Sequence, residues 1–272
     1  PMIAVELRKL VLSRRTWVTI LLIDALPTLV GVLLAVTDLG PRPGTGPAFL
    51  SAVLTDGTLF PLAALGIVLP LFLPIAVAVT AGEAIAGEAQ QGTLRYLLVR
   101  PIGRTRLLVA KLVSVMVFVV LTVLVVAATA YVVGALFLGS ESVSTGATSV
   151  SGTGLSTQEM VLRTLLALAY AMLCMLGVAA IALFLSTVVR QPLSAALGTM
   201  GVLVASTLLL TLDAAHVLQP YLPTRYWLAF VDLFRDPILW RDVERGVLLQ
   251  VAYVVVFLAA AWANFMTKDV TD

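Results

Sequence analysis

Charge is scarce in this 272-residue chain, where 12% of residues are Asp, Glu, Lys or Arg, against roughly 25% in a soluble domain. That shortage excludes a globular surface clothed in water. A hydrophobic content of 60% and a mean hydropathy of +1.06 point to lipid as the solvent instead. Cysteine is nearly absent: Cys174 stands alone, so an intrachain disulfide or a thiolate cluster is excluded, and its apolar neighbours suit a small packing residue. His216 is the sole histidine, which excludes a zinc site built on several of them. No Gly-x-Ser-x-Gly elbow presents a serine nucleophile, so His216, near the end of an apolar run, is expected to be an interfacial polar residue. Lysine is short as well. Lys9, Lys111 and Lys268 are followed by Leu10, Leu112 and Asp269, and none completes the glycine-rich loop, ending in Lys and Ser or Thr, that cradles nucleotide phosphates and places magnesium. The chain is therefore not expected to be an enzyme. Any ATP chemistry linked to it must belong to another polypeptide.

What the sequence has in abundance is long apolar runs. A hydrocarbon layer about 30 Å thick takes about 20 apolar helical residues to cross. Six stretches qualify, about 16–37, 58–82, 108–138, 160–189, 193–213 and 247–266. They predict an all-α integral membrane protein whose single six-helix domain occupies 16–272. The first run lacks a small-x-small cleavage site and follows a basic segment, so it reads as a retained span and not a signal peptide. Pro70 and Pro74 remove backbone donors from the second run and predict a kink there. In the fifth, Ser194, Gly198, Gly201 and Ala205 are small residues spaced to admit another helix, either within one subunit or across a subunit interface.

Basic residues set the orientation. With the amino terminus inside, the inner segments hold Arg8, Lys9, Arg14, Arg15, Arg95, Arg100, Arg104, Arg106, Lys111, Arg190 and Lys268, which is 11 of the 17. The outer side holds Arg42, Arg163, Arg225, Arg235, Arg241 and Arg245, with Asp232, Asp236, Asp242 and Glu244 near the last four. Both termini are expected in the cytoplasm of a multi-pass cell-membrane protein. Residues 2–15 predict an amphipathic interfacial helix, with Ile3, Leu7, Leu10 and Val11 on one face and Glu6, Lys9 and Ser13 across from it, its basic residues among lipid headgroups. Residues 140–158, rich in Ser, Thr and Gly, read as a flexible outer loop. Tyr221, Tyr226, Trp227, Phe230, Phe234 and Trp240 punctuate 214–246 and predict short helices dipping into the outer interface. Asp24 is the one acid deep in a span. Such a residue faces protein or water, so it either lines a translocation cavity or pairs with a polar group on a neighbouring helix.

The inner segment between the second and third runs carries the functional signal. Gly92 interrupts one helix and Thr93 caps the next. Leu94, Leu97 and Leu98 share a face of that short helix, Pro101 and Gly103 end it, and Arg104 leads into the third span. Flanked by Glu83, Glu88, Arg95 and Arg100, the leucines make an amphipathic knob that either fits a groove in a soluble partner or rests on headgroups. The ordered set Glu88, Gly92-Thr93-Leu94, Leu97-Leu98, Arg100-Pro101-Ile102, Arg104 and Lys111 resembles the first inner loop of type-2 ABC transporter permeases over about 30 residues. It departs from that pattern in Gln90-Gln91, where members often carry Glu-Arg, and in Ala110, where glycine commonly precedes the lysine.

The resemblance implies a coupling helix, formed by Glu83, Glu88, Gly92, Thr93, Leu94, Arg95, Leu97, Leu98, Arg100, Pro101 and Arg104, that docks on a cytoplasmic ABC ATPase subunit. It implies no cofactor on this chain, with ATP and magnesium on that ATPase. It further implies a second permease subunit, identical or different, and export, while the apolar cavity that the spans imply favours a lipophilic or amphipathic cargo. Membrane lipids are the remaining expected partner, and nucleic acid is not one. Two other readings are an ion-driven secondary transporter, for which no inverted repeat is visible, and a membrane anchor for an ATPase that moves nothing.

Overall fold

The computed structural model describes residues 2–37, 57–92, 104–137, 147–148 and 154–267. Its helices are α1 (Met2–Leu12), α2 (Arg14–Val36), α3 (Phe60–Val68), α4 (Phe72–Gln90), α5 (Arg104–Phe137), α6 (Thr157–Val188), α7 (Pro192–Leu210) and α8 (Trp240–Thr267). Four 3-10 turns, Gly57–Leu59, Asp213–Ala215, Gln219–Tyr221 and Ala229–Phe234, complete the helical content. One antiparallel pairing, Ala147↔Leu155 and Thr148↔Gly154, precedes α6. Most of the 140–158 loop lies outside the described residues.

Six of these helices, α2, α4, α5, α6, α7 and α8, are long and apolar enough to cross a membrane, and the chain is a membrane-spanning helical protein. At 1.5 Å per residue the 34-residue α5 extends about 50 Å, well beyond the hydrocarbon layer of about 30 Å. Leu21, Leu22, Leu136 and Leu248 are among the large apolar side chains left exposed. That is what lipid demands of a surface, since tails are as apolar as leucine and burial by itself adds little.

The sequence boundaries shift where polar and proline chemistry intervene. The expected helix over 2–15 stops at Leu12, because Ser13 turns extended at φ −72°, ψ 120° and α2 starts at Arg14. Trp17 Nε1 donates to Val11 O at 2.8 Å and takes up a carbonyl that the end of α1 leaves free. The kink predicted in the second run is a full break: α3 ends at Val68 and α4 begins at Phe72, with Pro70 between them. Several hydroxyls in the spans bond within their own helices, as Thr122 does to Phe118 O at 2.8 Å.

The core lies between α3, α4, α5 and α6, with Phe60, Phe118, Leu65, Leu73, Met175 and Cys174 fully buried. Gly246 of α8 sits where any β-carbon would collide with Tyr170 and Tyr226. A side chain there would push α8 off α6 and off the segment between α7 and α8.

That segment forms short helices before the last span, the 3-10 turns Gln219–Tyr221 and Ala229–Phe234. Tyr226, Trp227, Phe230 and Phe234 are buried in the core, whereas Tyr221 and Trp240 are exposed. The reason is a set of side chains that claim the segment's carbonyls from below. Arg163 Nη1 donates to Leu233 O at 3.2 Å and to Arg235 O at 2.9 Å. Tyr170 Oη donates to Tyr226 O at 2.7 Å, and Gln250 Nε2 to Pro223 O at 2.8 Å. Satisfying these groups lets an irregular backbone pack down on the helices.

Candidate functional site

At the opposite end of the bundle, α1 and the ends of α4 and α5 converge on one lysine. Lys111, about two turns into α5, has a side chain only 5% exposed. Its Nζ meets Glu6 Oε1 at 3.0 Å and a carboxylate oxygen of Glu88. A second ion pair, Arg15 with Glu83 at 2.6 Å, ties the start of α2 to α4 in a more open position, the two side chains being 66% and 36% exposed. Together they form an ionic clasp across α1, α2, α4 and α5. Burying an ammonium is costly unless carboxylates surround it, and Lys111 has two.

The clasp changes the reading of α1. Glu6, expected opposite the apolar face, turns inward beside Leu7 and Leu10, while Ile3 and Val11 stay exposed. Glu6 lies on the flank of that face, and attraction to Lys111 rotates the buried stripe toward it.

Further ties fix the same end. Ser186 of α6 accepts from Ile85 N at 3.1 Å and Ala86 N at 2.9 Å, and donates to Gly82 O at 2.7 Å, so it bridges a turn of α4 just before Glu88. Arg104 Nη1 donates to Phe265 O at 3.2 Å and Met266 O at 2.7 Å, filling carbonyls that the end of α8 cannot bond internally. Trp262 Nε1 reaches Thr105 Oγ1 at 3.1 Å, and Asn264 Nδ2 reaches Thr187 Oγ1 at 2.9 Å.

Of the residues expected to form the coupling helix, Glu83, Glu88, Gly92 and Arg104 fall in the described chain. Glu83 and Glu88 join the clasp, Gly92 ends α4 at φ +69° with open space around it, and Arg104 anchors α8. Thr93, Leu94, Arg95, Leu97, Leu98, Arg100 and Pro101 lie outside the described residues. Asp24 is 7% exposed, and its Oδ1 accepts from Thr129 Oγ1 of α5 at 2.5 Å. Two residues were missed. Arg15 and Glu6 gave no local signal, because their partners stand 68 and 105 residues away.

A cleft of about 830 Å³ opens beside the clasp, between α1, α2, α4 and α5. Its charged mouth includes Glu83, Arg15 and Lys111, and its apolar wall includes Phe72, Ile75 and Phe118. Asp24 is not in that wall. The small residues of α7 point elsewhere: Ser194, Gly198, Gly201 and Ala205 all lie on the exposed side, while Ala195, Ala196, Thr199 and Leu203 pack inward. Among the described residues no group of three His, Cys, Asp or Glu side chains could hold a metal ion.

A family model described as "Protein of unknown function (DUF2705)" matches residues 48–271. No curated protein matches the chain.

Proposed function

We propose that this chain, which belongs to the DUF2705 family, is the membrane-spanning permease subunit of an ATP-driven exporter. The observation that carries the reading is the Lys111–Glu88 contact. It brings the helix ends before and after residues 93–103 together and locks both to α1 through Glu6. A push on the segment between those ends is therefore delivered to three helices at once. An ATPase subunit closing on ATP would press Leu94, Leu97 and Leu98 and bias one of two helix packings over the other. In this reading both termini are cytoplasmic, ATP and magnesium stay on the ATPase, and the cargo is lipophilic or amphipathic.

The outward small-residue face of α7 supports a second permease subunit, since close approach of helices is how membrane interfaces gain packing energy. The decisive experiment is co-purification of the chain with ATPase subunits in detergent, wild type against Leu97→Asp. A stoichiometric ATPase that is lost in the variant is the expected result. No ATPase with the wild type overturns the reading. An ATPase that binds but drives no flux in vesicles reduces the chain to an anchor.

A further inference from the structure

We infer that the cleft beside the clasp is a binding site for a zwitterionic amphiphile, a phospholipid-like molecule whose head carries both an ammonium and a phosphate. This goes beyond the transport reading and stands without it, because binding is a property of the chain alone. Three observations carry it.

The first is graded polarity. On α2 the lining passes from Arg15 to Leu22, on α4 from Glu83 to Phe72, and on α5 from Lys111 to Phe118. Seven to eleven residues separate each pair, about 10–16 Å of helix rise. All three gradients run the same way along the helices, from charged mouth to apolar wall. A small polar solute would leave that wall uncovered, and a hydrocarbon would strand the mouth.

The second is access. Leu22, Phe72 and Ile75 line the cleft and are 69%, 37% and 38% exposed. Those positions lie within membrane-crossing helices, so the apolar part opens sideways to the lipid while the mouth opens at the end of the bundle. A molecule already in a leaflet can slide in with its head at the charged level. The volume of about 830 Å³ falls in the ordinary range of small-molecule sites, about 300–1,000 Å³.

The third is charge balance. Three carboxylates, Glu6, Glu83 and Glu88, face three cations, Lys9, Arg15 and Lys111, and the formal sum is zero. A purely anionic or purely cationic head meets no net attraction there. A head with both signs can exchange partners with the half-exposed Arg15–Glu83 pair, its phosphate replacing Glu83 at Arg15 and its ammonium replacing Arg15 at Glu83. Exposed ion pairs are held weakly enough for such exchange.

The test is native mass spectrometry of the full chain in detergent, titrated separately with three dioleoyl lipids. They are zwitterionic phosphatidylethanolamine, anionic phosphatidylglycerol and a cationic trimethylammonium lipid. The expected result is one phosphatidylethanolamine per chain, bound about tenfold more tightly than either single-sign lipid. Ile75→Trp, which fills the apolar wall from a part-exposed position, should weaken that binding about tenfold. Leu248→Trp, on the lipid-facing side of α8, should leave it unchanged. Glu83→Gln frees Arg15 and should move the preference toward phosphatidylglycerol. Equal retention of all three lipids, or wild-type binding by Ile75→Trp, would mean annular lipid only and overturns the site. Full competition by soluble phosphoethanolamine overturns the amphiphile. Should Ile75→Trp fail to fold, an unchanged headgroup preference in Glu83→Gln still overturns the proposal.

Discussion

At one end of the bundle charged side chains hold one another: Lys111 with Glu6 and Glu88, Arg15 with Glu83. At the other, Arg163, Tyr170 and Gln250 hold the carbonyls of an irregular segment. A buried carbonyl has nowhere else to go, and losing its partner leaves an unsatisfied group. Charged side chains on flexible stems can trade partners, and each new pair retains most of the attraction. The aromatic end is therefore a cap held through its backbone carbonyls, while at the clasp end the exposed Arg15–Glu83 pair is the tie suited to rearrange. The clasp end is also the one next to residues 93–103 and the cleft.

Breaking the clasp should have the largest effect. Lys111→Met leaves two partly buried carboxylates facing each other without their cation. Removing one partner of a buried pair costs about 3–5 kcal/mol, to be read from SDS-induced or thermal unfolding in detergent. The triple variant Glu6→Gln, Lys111→Met, Glu88→Gln should recover most of that loss, because no uncompensated charge remains. A loss in Lys111→Met under about 1 kcal/mol, the range of exposed pairs, would mean water already solvates the clasp.

Next comes the cap. Arg163→Met strips two charge-assisted bonds from Leu233 O and Arg235 O, with about 1.5–3 kcal/mol expected for a hydrogen bond to a charged group. The segment 223–239 should also become more sensitive to proteolysis while α5 and α6 do not. Uniform loss across the bundle would show that Arg163 supports the helices themselves and would erase the distinction between cap and clasp.

Periodicity and composition reached five of the six spans to within a few residues at most ends, because length and apolarity are local properties; the second, expected over 58–82, has its membrane-length helix at Phe72–Gln90. The break around Pro70 was legible as a kink, since proline removes a donor wherever it sits. The fate of Tyr226, Trp227, Phe230 and Phe234 was not, because aromatic rings among prolines and charges read the same in an interface as in a core. Only Arg163, Tyr170 and Gln250, far away in sequence, decide the matter. The clasp was half legible. Glu88 and Lys111 belong to one motif, whereas Glu6 looked like a solvated flank and Arg15 like one more basic residue near headgroups. The outward turn of Gly198 and Gly201 could not be read from spacing, which marks a helix-approach face without saying which neighbour fills it.

Between the two ends stands a buried tie inside the spans, Asp24 with Thr129. Asp24→Asn keeps an acceptor for the Thr129 hydroxyl and removes a formal charge that membrane insertion penalises. Stability should hold or rise, with unfolding shifted by less than about 1 kcal/mol if it falls, one neutral hydrogen bond being the most at stake. Unchanged transport and assembly would leave Asp24 a packing tie. Lost transport in a stable variant would give it a place in the pathway.

The smallest effect belongs to Arg15→Gln, and it isolates the part played by burial. Arg15–Glu83 uses the same chemistry as Lys111–Glu88, sits in the same clasp and differs mainly in exposure, 66% and 36% against 5% and 13%. Exposed pairs contribute about 0–1 kcal/mol, so Arg15→Gln should change unfolding by no more than about 0.5 kcal/mol. That difference should vanish in about 1 M salt, where the screening length falls to about 3 Å, whereas the Lys111→Met loss should persist. If the two variants cost the same and respond to salt alike, burial does not separate them, and the clasp is one solvated network instead of a buried anchor with an exchangeable outer pair.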